Sequence, residues 1–92
     1  MDQEIFKETY GFSVDELNQL MVEKKYRQLR ERIDELNEAD TAEYLEELPE
    51  EKRLLVFRML PKDKAADVFA FLPPDIQGII INSITDTELG NI

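Results

Sequence analysis

The residues able to do chemistry in this 92-residue sequence are carboxylates: 21 Asp and Glu stand against 11 Lys and Arg, with no His and no Cys. That set excludes thiolate and imidazole metal sites, a disulfide framework, Cys or His nucleophiles and a histidine general base. A hard cation held by carboxylate or carbonyl oxygens remains possible. The formal net charge of −10 repels a phosphate backbone, which argues against nucleic-acid binding and against docking on an anionic membrane surface. It attracts cations and basic partners. Paired carboxylates at helical spacing are abundant, yet no nucleophile, glycine-rich loop or metal cluster accompanies them, so nothing points to an enzyme.

One carboxylate stands out from the pattern around it. Leu-Pro occurs at Leu48-Pro49, Leu60-Pro61 and Leu72-Pro73, twelve residues apart each time. Aligned at the prolines, the units carry an acid at the third place (Glu51, Asp63, Asp75) and a β-branched residue at the eighth (Val56, Val68, Ile80). A bulky apolar residue fills the ninth (Phe57, Phe69, Ile81), and Leu or Ile the twelfth (Leu60, Leu72, Ile84). At the seventh place Leu55 and Ile79 flank Asp67, a carboxylate where the pattern expects an aliphatic. Asp67 is therefore the first candidate metal ligand. The plainer reading is an exposed residue of an amphipathic helix, paired with Lys64 three positions earlier.

Proline explains the elements that would position it. Pro fixes φ near −65° and lacks an N–H, which suits the first turn of a helix and pushes the preceding residue out of the helical region. Each Leu-Pro is thus a stop and a start, and the acid two places on favours the helix N-terminus. Every unit becomes a helix of about ten residues with almost no loop. The stripe in Leu54-Leu55-Val56-Phe57-Met59-Leu60 wraps nearly all round, so that helix is expected to be central.

Before the repeats, Ser13 and Glu16 have capping-box spacing, and Val14, Leu17, Leu20 and Met21 recur at helical intervals. Five basic residues (Lys24, Lys25, Arg27, Arg30, Arg32) lead into a second helix carrying Tyr26, Leu29, Ile33 and Leu36. This run reads as a solvated face that could also meet a negative partner. Nine acids follow between Asp34 and Glu51 without a base; Glu46, Glu47, Glu50 and Glu51 read as helix-end charge and solubility. Asp40 is expected to cap the third helix. Residues 1–12 are expected to be a loosely ordered segment of one or two turns broken at Tyr10-Gly11, and 13–92 the domain proper. Thr85 and Glu88 have capping spacing, so a new helix is expected near Asp86. A helix starting just before Ile92 reads as a fragment of a longer chain, with an apolar face that something must cover. The most apolar stretch, Ala65 to Ile84, is interrupted by Asp67, Pro73-Pro74, Asp75 and Gln77, too broken for a membrane span. The acidic N-terminus is unlike a signal peptide, and the expected location is cytoplasmic.

The run Asp40-Thr41-Ala42-Glu43-Tyr44-Leu45-Glu46-Glu47-Leu48-Pro49, then Val56-Phe57-Arg58-Met59-Leu60-Pro61, and above all Lys62-Asp63-Lys64-Ala65-Ala66-Asp67-Val68-Phe69 resemble the N-terminal cytoplasmic domain of MgtE-type magnesium transporters. The resemblance covers about Ser13 to Ile92. It implies an all-α, right-handed superhelix of short helices, on the cytoplasmic face of the cell membrane. In that family the domain precedes two CBS domains, a plug helix and a transmembrane pore domain that forms a homodimer. It senses magnesium, which bridges it to the CBS domains and plug helix and stabilises the closed state. The family's acid in the Ala-Ala-acid-Val run helps bind that magnesium, and it matches Asp67. Asp86 and Glu88 lie near the family's further sensor acids and are weaker metal candidates, closer to capping residues in character. The resemblance implies weak magnesium binding, or none, by this chain alone. Leu-Pro punctuation is shared in style with other α-solenoids, including the flagellar-switch protein FliG. The alternative is therefore a FliG-like helical-repeat interaction module with no ion role.

Overall fold

The structure, a computed structural model, describes the backbone of residues 3–90 and the side chains of residues 4–84. Among the described residues the chain is all-helical: α1 (Gln3–Tyr10), α2 (Val14–Val22), α3 (Tyr26–Asp34), α4 (Glu38–Glu47), α5 (Glu50–Met59), α6 (Lys62–Phe71) and α7 (Pro74–Gly90). None of these helices is long and apolar enough to cross a membrane.

The twelve-residue beat is written into the backbone. Leu48, Leu60 and Leu72 end their helices in extended conformation, with ψ of 149°, 141° and 148°. Their N–H groups donate to Leu45 O, Phe57 O and Phe69 O at 3.2, 3.2 and 3.1 Å. The prolines that follow are not the first helical residues, as expected, but the N-caps. Pro49 and Pro61 have ψ of 153° and 147°, and Pro49 O, Pro61 O and Pro73 O accept the first helical bonds from Arg53, Ala65 and Gln77. A proline with extended ψ turns the chain one residue earlier than a helical proline does, and its missing N–H costs nothing at a cap. The last unit has Pro73 at this place and Pro74 as the first helical residue.

The eighth-place residues Val56, Val68 and Ile80 and the twelfth-place Leu60 and Leu72 are buried in one core with Leu45 and Leu48. Phe57 and Phe69, at the ninth place, pack ring against ring with centroids 6.3 Å apart. The central helix is α4 rather than α5. Thr41, Ala42, Tyr44 and Leu45 are all buried, and α4 packs chiefly on α6 and also on α5. Helix α5 buries Val56 and leaves Leu55 exposed. The Leu-Pro turns set each helix against the next but one, so an apolar girdle on α5 is only half covered.

Caps also differ from expectation. Ser13 Oγ accepts from Glu16 N–H at 3.2 Å, as the capping box predicts. Helix α4, however, is capped by Asn37, whose Oδ1 accepts from Asp40 N–H at 2.7 Å, so Asp40 lies in the first turn. At the other end α7 runs through Ile84 and Thr85 to Gly90 without a break. No proline follows Ile84, so nothing forbids the helical bond there, and no new helix begins near Asp86. The first helix is two turns ended at Gly11 (φ 81°), as expected, but it packs into the core instead of lying loosely beside it. Phe6 and Phe12 are buried, Phe6 meets Tyr10 and Phe12 at 5.0 and 5.9 Å, and the Arg32 guanidinium lies 5.6 Å from the centre of the Phe12 ring. Such ring pairs contribute about 0.5–1.5 kcal/mol each beyond their burial.

Candidate metal site

Asp67 is exposed on α6, beside the buried Val68. The structure changes the meaning of its place in the repeat. Leu55 and Ile79 at the same place are each 38 % exposed, so the seventh place faces outward in all three units. Asp67 thus interrupts no core.

Its expected partner is elsewhere. Lys64 Nζ donates to Ile33 O, Asp34 O and Leu36 O at 3.1, 3.0 and 2.6 Å. Those carbonyls belong to the end of α3 and the turn after it, where helical partners run out and positive charge is favoured. With Lys64 held there, Asp67 makes no hydrogen bond or ion pair among the described residues. Asp63 precedes it by one turn and is also exposed; Phe71 follows by one turn and is 60 % exposed. At spacings of four, these three form one outward row on α6. Asp86 and Glu88 lie on the backbone of α7, but their side chains fall outside the described residues. Glu46, Glu47, Glu50 and Glu51 are exposed around the α4–α5 turn, in keeping with helix-end charge.

A second carboxylate group was not singled out in the sequence. Asp40, Glu43 and Glu47, on one side of α4, line a solvent-open groove of about 230 Å³ with Phe6, Val14 and Tyr44. Asp40 accepts a short hydrogen bond from the Tyr10 hydroxyl, and the Tyr10 oxygen accepts from Asn37 N–H at 3.4 Å. Desolvation first, and then the bond to Asp40, raise the Tyr10 pKa. This group ties α1 to α4. Its legible signal was the spacing of Asp40, Glu43 and Glu47 at three and four along one helix.

No group of three or more Asp or Glu among the described residues is arranged to hold a metal ion. Magnesium requires less than that: one or two carboxylates suffice, with water filling the other octahedral positions. Asp67, with Asp63 a turn away, fits one half of a bridged site whose other half comes from a facing surface.

Sequence reasoning also missed a set of side chains that close helix ends. Arg53 Nε donates to Leu45 O at 2.8 Å, and its Nη2 to Glu46 O at 3.3 Å and Leu48 O at 2.9 Å. Gln77 Nε2 donates to Phe69 O at 2.7 Å. Both stand at the fifth place of their units, so a polar donor there was the available signal.

The helical repeat and the Asp67 face can be set against known proteins. No curated protein matches the chain, and no solved structure does. The family model for the MgtE intracellular N domain matches residues 36–92, more than half of the chain, from the turn before α4 to the end and including Asp67. That family belongs to magnesium transport and is not a family of enzymes. The Leu-Pro helices from α4 onward are the matched part, and the chain therefore belongs to the MgtE intracellular N domain family.

Proposed function

We propose that this chain is the magnesium-sensing regulatory domain of a magnesium transporter, and that Asp67 is its contribution to a magnesium bridge with an adjacent CBS domain. One observation carries the reading: in a chain of this family, the Asp67 carboxylate is exposed and has no partner within its own fold. Bare carboxylates on two facing surfaces repel; a magnesium ion between them, keeping several waters, reverses that sign. The ion thereby favours the docked arrangement, and its loss favours separation. A site with so few protein ligands is weak in the isolated chain and gains strength only when both halves are present.

The test is a magnesium titration of this chain joined to a CBS pair of the family, read as compaction in solution scattering. Asp67→Ala should lose the magnesium-dependent compaction. Equal compaction in the variant removes Asp67 from the mechanism.

Phe71, 60 % exposed at the end of α6, favours a second reading, the helical-repeat interaction module with no ion role. In that case Phe71→Ser abolishes docking, whereas Asp67→Ala and removal of magnesium leave it unchanged.

A further inference from the structure

The turn between α2 and α3 is built at a cost that the fold does not require. Lys24 N–H donates to Met21 O at 3.1 Å and Lys25 N–H to Leu20 O at 2.9 Å, the paired bonds of a Schellman turn. The residue such a turn holds in the left-handed region is usually glycine, and here it is Lys24, at φ 59°. A side chain there is strained, and strain of this kind is maintained where the residue has a task. Lys24 has none within the fold, since it is exposed and makes no ion pair among the described residues. Arg27 and Arg30, three positions apart on α3, are likewise exposed and unpaired among the described residues. Lys25 meets only Glu23, at 3.5 Å. Val22, 65 % exposed, and Tyr26, 39 % exposed, stand among these cations. A chain of net charge −10 thus gathers unpaired positive charge and exposed apolar surface at one corner.

We propose that this corner docks an acidic polypeptide segment, whose carboxylates meet Lys24, Arg27 and Arg30 and whose apolar side chain covers Val22 and Tyr26. Charge complementarity selects the sign of the partner, and the shape of the charge selects its kind. Screening limits the reach of exposed charges to about 8 Å at physiological salt, so a narrow segment at the corner senses its cations and little else. A planar anionic bilayer laid against the same corner also confronts Glu31 and Asp34, exposed farther along α3, and the acidity of the remaining chain. This surface shares no residue with the Asp67 face, so each can fail without the other.

The experiment follows backbone amide shifts of the isotope-labelled chain at near-physiological ionic strength. The probes are a short amphipathic peptide of Glu, Ala and Leu, its counterpart with Lys in place of Glu, and phosphatidylglycerol vesicles. The proposal expects shifts confined to residues 22–30 with the acidic peptide alone. Arg27→Glu with Arg30→Glu should weaken that binding about tenfold or more. Lys24→Gly should raise the thermal midpoint and yet weaken binding several-fold, a combination that a purely structural lysine does not produce. Absence of binding, equal binding of the Lys peptide, preference for the vesicles, shifts centred elsewhere, or self-association through the corner would each overturn it.

Discussion

Lys64 and Asp67 lie within one turn of α6 and do not pair, because the ammonium is bonded to the carbonyls of Ile33, Asp34 and Leu36 across the fold. The lysine therefore fastens the Leu-Pro part of the chain to the end of α3, and the aspartate is left to solvent. Hydrogen bonds from a charged donor contribute about 1.5–3 kcal/mol. Lys64→Met keeps the alkyl stem and removes the donors, so it should lower unfolding stability by about 2 kcal/mol in a urea titration.

Asp67→Asn should behave in the opposite way. With no partner to lose, its stability should stay within about 0.5 kcal/mol of wild type. A larger loss in the same titration would mean that Asp67 has a structural role, and would weaken its assignment to magnesium.

Tyr44 gives the fold an alkaline limit. Burial pushes its hydroxyl up to about 12 from the usual 10, and the hydroxyl donates to Asn18 Oδ1 at 3.1 Å. The folded value is above the unfolded one, so the stability tied to the neutral hydroxyl is fully present below pH 10. It is then lost as the pH rises toward 12, with a slope near 1.4 kcal/mol per unit. Tyr44→Phe should cost about 1 kcal/mol at neutral pH and flatten that decline. A smaller alkaline slope should persist, because Tyr10 is shifted in the same direction.

The unbroken α7 offers a test of the repeat itself. Thr85 stands where the earlier units have proline. Thr85→Pro removes a helical N–H and sets a ring against the preceding turn, a penalty of about 3 kcal/mol for a continuous helix. The variant should therefore stop α7 at Ile84, which amide exchange would show as loss of protection localised to the residues around that position.

What could be read from the sequence was what a few neighbouring residues decide among themselves. Proline acts on its own φ and on the residue before it, so the helix ends at Leu48, Leu60 and Leu72 were legible, as was the Ser13 cap. The eighth and twelfth places were legible because core positions keep helical register within a unit. Less could be said where the deciding partner is distant. Nothing local shows that Lys64 reaches α3, or that the half-turn bearing Phe6 and Phe12 finds Arg32. The centrality of α4 was hidden by its acidic composition, while the more apolar α5 drew attention. The Asp67 face was half legible: its residue was found, but the outward direction of the whole seventh place depends on how successive units turn.

That turning is fixed by two residues per unit, a leucine and a proline in extended conformation. The twelve-residue period consequently behaves as a reading frame. One residue added within α5 would rotate everything after it by about 100°, bringing Asp67 toward the core and Val68 into water. Length within a unit is thus more tightly constrained than residue identity at most of its positions.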